Sequence, residues 1–125
     1  MEATSRERRG LPRAARLQST GEFARVRRAG HRLVRGCLIM NWIEAPSSGR
    51  SRLGVVTSRK IGGAVVRNRA RRLLRESFRL HQHEFASPTT LVLVARASIA
   101  HQSRQGVERD FLAVLREAKL LLPLT

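Results

Sequence analysis

The most informative stretch of the chain is RKIGGAVVRNRARRLLRESFR, residues 59–79, which holds eight basic residues and one acidic residue. Wound as a helix from Ala64 at about 100° per residue, the stretch separates into two faces. The apolar face carries Val66, Ala70, Leu73, Leu74, Ser77 and Phe78, and the polar face carries Asn68, Arg69, Arg71, Arg72, Arg75, Glu76 and Arg79, with Arg67 at the border. The sequence therefore predicts an amphipathic helix whose polar face is almost purely cationic.

Such a face is unfavourable for an isolated helix. Arg67, Arg71, Arg75 and Arg79 stand four residues apart, a spacing at which like charges destabilise a helix by about 0.2–0.5 kcal/mol per pair. Cations near the helix N-terminus also oppose the helix dipole. Because a face that only meets water would alternate acidic with basic residues, we infer that a polyanion binds here.

The composition supports a nucleic-acid partner. A chain of 125 residues with 42% hydrophobic content is expected to form one domain with a core. It carries 25 basic against 9 acidic residues, a net charge of +16, and all but two of the basic residues are arginine. Arginine offers a planar fork of donors that fits phosphate and stacks on bases, although genomic base composition could also produce the bias. Residues 1–35 hold ten basic and three acidic residues, but beyond residue 80 the numbers are five and four, which favours a globular domain with one or two cationic faces.

Several classes of protein are excluded. The single Cys37 excludes an intramolecular disulfide framework and a thiolate metal cluster, and its apolar neighbours indicate a buried, inert thiol. No apolar run reaches the ~20 residues that span a bilayer, and the N-terminus lacks the apolar region of a secretory signal. We therefore expect a cytoplasmic protein without a membrane partner.

The remaining pattern predicts a small α+β fold. Residues 1–15 indicate a flexible basic arm, and residues 16–125 a single RNA-binding domain. The capping box from Ser19 to Glu22 predicts a helix at residues 20–29 that ends at Gly30. Strands are predicted at 37–43, 52–58 and 91–95, with part of another a candidate at 31–36; a final helix follows Ser103 and stops at Pro123. Residues 46–49 predict a turn that joins the 37–43 and 52–58 strands as a hairpin, and the 91–95 run is apolar throughout, as in a central strand. Helices packed on a sheet follow from this order.

Catalysis by the protein itself is not indicated. The nine acidic residues are scattered, with no pair at a spacing that suggests acid–base work. His81 and His83 are two apart, which does not converge on one metal ion on a helix, so a solvated helix end is the preferred interpretation. Gly62 and Gly63 precede a helix but lack the Walker spacing, so a tight turn is favoured over a nucleotide site. Phe23 could pack inward or offer a base a stacking surface.

Residues 60–76 resemble the arginine-asparagine-arginine signature of the bacterial ribonuclease P protein subunit. The resemblance covers about residues 11–120. It includes Leu17, Ser19, Glu22, Phe23, Val26 and Gly30 in the family's first helix, residues 52–58 in the strand that leads to the signature, and residues 91–96 in a later strand. It implies a small two-layer α/β sandwich with a mixed sheet and a left-handed β-α-β crossover through the signature helix, an exception to the usual handedness.

The same resemblance implies a function. The family assists a large catalytic RNA that removes the 5′ leader from precursor tRNA, so the holoenzyme is an endoribonuclease whose chemistry belongs to the RNA and to Mg²⁺ bound mainly by it. No protein residue is then catalytic, and DNA is not a partner. The implied RNA-docking residues are Arg59, Lys60, Arg67, Asn68, Arg69, Arg71, Arg72 and Arg75.

The implied leader-binding residues are Phe23, Arg27 and Asn41. Phe23 matches an aromatic residue of the family's leader cleft, whereas Arg27 and Asn41 stand where the family has two more aromatics. Trp42 is adjacent to Asn41, but the period of two along a strand directs it to the other face. Leader contact here is therefore expected to depend more on arginine than on stacking.

Two other functions stay open from the residues alone. A structural, ribosomal-type RNA-binding protein shares the basic α+β character, and a small DNA-binding regulator would share the cationic helix. The nucleic acid that co-purifies with the protein distinguishes them: one large catalytic RNA, ribosomal RNA, or no RNA.

Overall fold

Four strands and three α-helices form the part of the chain that the computed structural model describes, residues 11–46 and 49–123. In chain order they are α1 (Thr20–Ala29), β1 (His31–Arg35), β2 (Leu38–Glu44), β3 (Arg52–Val56), α2 (Ala64–His81), β4 (Thr89–Ala95) and α3 (Arg104–Glu117). Short 3-10 helices lie at Arg13–Ala15, Arg59–Ile61, Gln82–Glu84 and Ala97–His101.

The strands form one mixed sheet in the order β1-β2-β4-β3. β2 is antiparallel to both β1 and β4, whereas β3 is parallel to β4. The prediction of a central, apolar strand at 91–95 is confirmed, because β4 lies between β2 and β3 and residues 91–93 are fully buried. α2 connects the parallel strands β3 and β4, and the left-handed sense of this crossover stays a prediction from the resemblance.

The predicted hairpin between the second and third strands is wrong, because β4 lies between β2 and β3. The hairpin joins β1 to β2 instead, where Arg35 pairs with Leu38 across a two-residue turn. Gly36 in this turn has φ +54°, the left-handed region that glycine adopts without a Cβ penalty. The Cys37 N–H donates to Asp110 Oδ2 of α3 at 3.0 Å. Apolar runs on either side of a turn signal cannot reveal that a later strand inserts between them.

Most of the core lies on one face of the sheet, under α2 and α3. Strand residues such as Met40, Leu53 and Leu93 pack there with Phe78 of α2 and Phe111 of α3. All five residues are 0–1% exposed. This layer of two helices on a sheet is the predicted sandwich.

A smaller cluster lies on the opposite face, beneath α1. Leu17, Val26 and Val92 form it, and Phe23 packs against it. Strand residues alternate between the two faces, so Asn41 lies on the α1 face and Trp42 on the α3 face, as predicted, with the Trp42 ring 5.2 Å from that of His31.

α1 has the predicted bounds, and the Ser19 hydroxyl caps it by accepting the Glu22 N–H at 3.2 Å. Gly30 does not take the left-handed conformation usual after a helix, since its φ is −90°. Glycine is required there by close packing, because a Cβ would lie 2.4 Å from the Trp42 carbonyl oxygen.

α3 begins after Ser103, whose hydroxyl accepts the Gly106 N–H at 3.0 Å. The predicted stop at Pro123 is wrong, because the helix ends at Glu117 and Lys119 turns the chain with φ 60°. Leu122, which the sequence pattern places within this helix, lies beyond its end and is 53% exposed.

The N-terminal segment enters the core earlier than the sequence suggests. Leu11 and Ala15, assigned by sequence to the flexible arm, are 7% and 0% exposed and belong to the main core. Arg16 forms a parallel bridge with Leu53, so residues 11–18 run along the outer edge of β3. The arm therefore cannot extend to residue 15; residues 1–10, and Ser47 and Ser48 of the predicted turn, lie outside the described residues.

The environments of Cys37 and His81 can be compared with the predictions made for them. Cys37 is buried, as predicted, and burial together with Asp110 raises the pKa of its thiol to about 12. His81 is not a solvated helix end: its ring nitrogens face the carboxylates of Glu84 and Glu108, the latter at 2.6 Å.

Candidate nucleic-acid interface

The signature helix α2 starts from a tight turn. Gly62 has φ +147°, and a Cβ on it would lie 2.9 Å from the Val66 Cβ. The glycine therefore lets the helix begin directly against the turn, as the sequence predicts. Within α2 the buried residues are Ala70, Leu73, Leu74, Ser77 and Phe78, so the apolar face packs on the core and the cationic face points outward.

Part of the cationic face lines a cleft of ≈ 380 Å³, which we call the signature cleft. Its lining residues are Leu11, Arg16, Asn68, Arg71, Arg72, Arg75 and Glu76. Arg71 is held in place inside it, donating to the Asn68 side-chain oxygen at 2.6 Å and to the Thr57 hydroxyl. Asn68 thus orients an arginine as well as presenting an amide. Because Glu76 is paired with Arg79, the cleft keeps a positive charge.

Arg69 points to the other side of α2. Its guanidinium donates to the Gln102 carbonyl at 2.6 Å, so it fixes the segment that precedes α3. Arg59 and Lys60 are exposed just before α2. Arg67 is half-buried, and its Nε has no hydrogen-bond partner among the described residues.

A second cleft of ≈ 210 Å³ lies at the outer edge of β3, and we call it the edge cleft. Its lining residues are Arg13, Arg16, Leu17, Gln18, Phe23, Leu53, Gly54, Val55 and Arg75. The half-buried Phe23 ring rests on β3: a Cβ on Gly54 would lie 2.5 Å from Phe23 Cε1. The edge cleft therefore combines an aromatic ring with three arginines.

An ion pair ties α1 to the sheet beside Phe23. Arg52 of β3 donates to both carboxylate oxygens of Glu22 and to the Arg16 carbonyl. The Arg52 hydrogen bond is the main cause that lowers the pKa of Glu22. Glu22 also accepts the Gln18 N–H at 3.2 Å, and a backbone hydrogen bond from Ser19 contributes to its lowered pKa, so it anchors the start of α1.

The other two leader candidates do not line the edge cleft. Arg27 is exposed one helical turn after Phe23, and Asn41 is 4% exposed. The sheet register places Asn41, Val92 and Gly54 in one row across three strands. Asn41 therefore lies on the same face as Phe23 but two strands away.

Sequence reasoning missed Arg13 and Arg16, which line the edge cleft. The sequence places Arg13 in the predicted arm and Arg16 directly after it, because the segment is basic and contains Gly10 and Pro12. The apolar residues Leu11, Ala15 and Leu17, all buried, are the signal that could have indicated a packed segment.

Comparison with known proteins assigns this arrangement to a family. The family model described as Ribonuclease P matches residues 11–119. The chain belongs to the ribonuclease P protein family. It is 37% identical over 110 residues to the ribonuclease P protein component of Syntrophomonas wolfei, which covers 88% of this chain and 92% of the relative.

Solved structures share the fold. The RNase P protein of Staphylococcus aureus superposes with a TM-score of 0.79 at 24% identity, over 86% of this chain and 98% of that one. A mutant of the S. aureus protein described as having defective mRNA degradation activity gives 0.79 at 25% identity, over 86% and 91%. The mixed four-stranded sheet with three helices is thus that of bacterial RNase P proteins.

Membership identifies the chain as the protein component of ribonuclease P, a ribonucleoprotein endoribonuclease of tRNA processing whose RNA subunit is its partner. Nothing in the comparisons supports a ribosomal protein. In the described part of the chain, no helix is long and apolar enough to cross a membrane.

Proposed function

We propose that the two clefts of this ribonuclease P subunit bind different RNAs. The cationic face of α2 binds the catalytic RNA, and the α1 side of the sheet binds the 5′ leader of precursor tRNA. The observation that carries the proposal is the outward cationic face of α2, which continues into a cleft that also holds Phe23. The backbone phosphates of the RNA are the anionic partners for the arginines of this face.

The proposed RNA-docking residues are Arg59, Lys60, Arg67, Asn68, Arg69, Arg71, Arg72 and Arg75. They contribute unequally. Arg72 has no protein partner among the described residues and is fully available to phosphate, whereas Arg69 and Arg71 also hold protein groups. Loss of either of these two would disturb the protein as well as the interface.

The proposed leader site consists of Phe23, Arg27 and Asn41. Phe23 offers part of its ring for base stacking, and the exposed Arg27 offers charge one turn away. Asn41 is only 4% exposed, so it contributes mainly indirectly. It lies in the same row of strand residues as Gly54, on which the Phe23 ring rests. Charge therefore has a larger share than stacking in holding the leader.

We further propose that Mg²⁺ is bound mainly by the RNA and that the protein acts in the cytoplasm. Among the described residues, no three His, Cys, Asp or Glu side chains are grouped as metal ligands. The protein's part in the metal requirement is then indirect: its cations shield RNA phosphates, so that fewer Mg²⁺ ions are needed.

Reconstitution tests the proposal. With the catalytic RNA and precursor tRNA at low Mg²⁺, adding the protein should restore leader removal and tighten precursor binding relative to mature tRNA. The protein alone should cleave neither precursor tRNA nor mRNA. The mRNA degradation named for the S. aureus protein makes the second substrate a necessary control; cleavage by rigorously nuclease-free protein would refute the RNA-only chemistry.

A further inference from the structure

A pocket of ≈ 400 Å³ lies at the β1 edge of the sheet, and we call it the β1 pocket. Because β1 and β3 are the two outer strands, three strand spacings, about 14 Å, separate the β1 pocket from the β3 edge. It shares no lining residue with the edge cleft or the signature cleft. Its volume is within the range of small-molecule sites. Its polar and aromatic lining includes His31, Trp42, Glu44, Ser87 and Lys119.

Secondary structure holds the walls of the β1 pocket in place. His31 and Trp42 are paired across β1 and β2, and their ring centroids are 5.2 Å apart with the ring planes tilted by 32°. The two chain segments that supply Ala86 and Leu120 are joined by a hydrogen bond of 2.9 Å from the Ala86 N–H to the Leu120 carbonyl. The pocket is therefore already formed in the absence of a ligand, as small-molecule sites usually are.

Lys119 has an unfavourable backbone conformation for a lysine. Among the described residues it is the only one besides glycine with a positive φ, at 60°. The Leu120 N–H donates to the Leu115 carbonyl at 3.1 Å, and the Lys119 N–H donates to the Arg116 carbonyl at 3.0 Å. This pair of hydrogen bonds closes a helix end at which glycine is the usual residue. A lysine kept at such a position, where glycine would fit without strain, indicates a use for its side chain.

Two opposite charges in the β1 pocket have no partner in the described part of the protein. Glu44 and Lys119 are both exposed, and neither forms an ion pair with another described residue. The pocket thus offers a ligand one anionic acceptor and one cationic donor. Because these two charges cancel, the pocket does not attract a polyanionic strand as the cationic clefts do.

These groups fit a guanine nucleotide. The rings of Trp42 and His31 offer a flat base a stacking surface. Glu44 lies two residues after Trp42 on the same face of β2, about 6.6 Å along the strand, where a carboxylate can accept hydrogen bonds from the edge of a stacked base. Guanine presents two adjacent donors on that edge, whereas adenine, cytosine and uracil would each place an acceptor against the carboxylate. The ammonium group of Lys119 suits a phosphate.

We propose that the β1 pocket binds a free guanine nucleotide. The base stacks on Trp42 and His31, the Glu44 carboxylate accepts the two donors on the edge of the base, and Lys119 binds the phosphate. Because the pocket shares no lining residue with the two clefts, the holoenzyme can bind the nucleotide while it holds its RNAs. The proposal therefore adds a small-molecule site to a protein whose proposed partners are otherwise RNA.

Trp42 is the reporter for the test, because the chain has one tryptophan and no tyrosine. The full-length protein is titrated with GMP, AMP, guanosine and inorganic phosphate, and Trp42 emission is followed with correction for nucleotide absorbance. High salt screens the arginine-rich surfaces. The variants are Glu44→Gln, Lys119→Gly and the control Glu117→Gln, whose carboxylate pairs with Arg35 outside the pocket. Thermal unfolding checks that each variant folds.

GMP should quench Trp42 emission and bind roughly tenfold more tightly than AMP, as expected for hydrogen bonds to a charged acceptor. Phosphate alone should not quench. Glu44→Gln should lose the preference for GMP while AMP binding stays unchanged. Lys119→Gly should weaken GMP and AMP alike and leave guanosine unchanged. It should unfold at no lower temperature than wild type, because glycine suits a φ of 60°. Glu117→Gln should match wild type.

Two results with the protein alone would overturn the proposal. One is Trp42 emission that GMP does not quench, or that GMP and AMP quench at the same concentrations; the other is a GMP preference that Glu44→Gln leaves intact. The titration is then repeated with the holoenzyme bound to precursor tRNA, where GMP should bind with unchanged affinity. Loss of GMP binding in that complex would assign the pocket to a base of the RNA and would overturn a free-nucleotide site.

Discussion

Phe23 has two roles, packing on the sheet and offering a surface for base stacking. Part of its ring packs with Val92 and Gly54, and part faces the edge cleft. Full burial would make Phe23→Ala cost about 3–5 kcal/mol of unfolding free energy. Since the ring is only half-buried, we expect a smaller stability loss, together with precursor binding weaker by about 1–3 kcal/mol. Fluorescence titration of holoenzyme with precursor and with mature tRNA measures the second effect, and mature tRNA should bind unchanged.

Phe23→Leu is the matched control, since it keeps apolar packing but removes the flat face. It should preserve stability and still weaken precursor binding. Arg27→Ala should also weaken precursor binding, mainly at low salt, because the exposed guanidinium acts through screened charge. If neither Phe23→Ala nor Arg27→Ala changes the difference between precursor and mature tRNA, the leader does not bind on α1.

At the scale of an element, α2 should control the salt dependence of RNA binding. Neutralising about six phosphates gives a slope of log K against log salt of roughly −4 to −5. Replacing both Arg72 and Arg75 with Ala should flatten the slope by about 1.4–1.8, at roughly 0.7–0.9 per contact. Arg109→Ala with Arg116→Ala, on exposed positions of α3, controls for net charge; equal flattening by both pairs would contradict a localised interface.

The C-terminal end of α2 carries a pH-dependent connection to α3. Burial lowers the pKa of His81, but hydrogen bonds to Glu84 and Glu108 and their charges outweigh burial and raise it. A raised folded-state pKa means that this stabilisation is complete below the unfolded value of 6.5 and is lost as the pH rises through the folded value. Urea unfolding should show His81→Gln to cost about 1–2 kcal/mol at pH 6 and less at pH 8.5.

His83→Gln is the control for this connection. The His83 side chain is 74% exposed and comes no closer than 4.0 Å to the Glu84 carboxylate, so its interaction with Glu84 is weak. The substitution should change stability little at either pH. An equal loss for His81→Gln at both pH values would mean that the ring matters for packing and not for its charge.

The elements differ in how far the sequence could reveal them. α2 could be predicted, with both its faces, because its apolar period and its charges agree. The order of the strands could not, since β4 pairs with β2 and β3 only through contacts distant in sequence. The same limit applies to the site: Phe23 and Arg75 could be identified on their own helices, but their meeting at the edge cleft depends on where α1 and α2 pack.

For the molecule as a whole, the N-terminal segment decides whether the two clefts exist. Residues 11–18 cover the edge of β3 and bury Leu11 and Leu17 at 7% and 8% exposure. Deleting residues 1–10 should leave unfolding by urea unchanged and reduce only the salt-dependent part of RNA binding, because those residues add charge.

Deleting residues 1–18 should instead cost about 3–6 kcal/mol, from roughly 1.5–3 kcal/mol for each buried leucine side chain. It should also expose β3 as an unpaired edge and promote association between molecules, visible by light scattering. RNA binding should lose its leader preference together with the fold around Phe23. If the longer deletion unfolds at the same urea concentration as the shorter one, residues 11–18 do not belong to the folded domain.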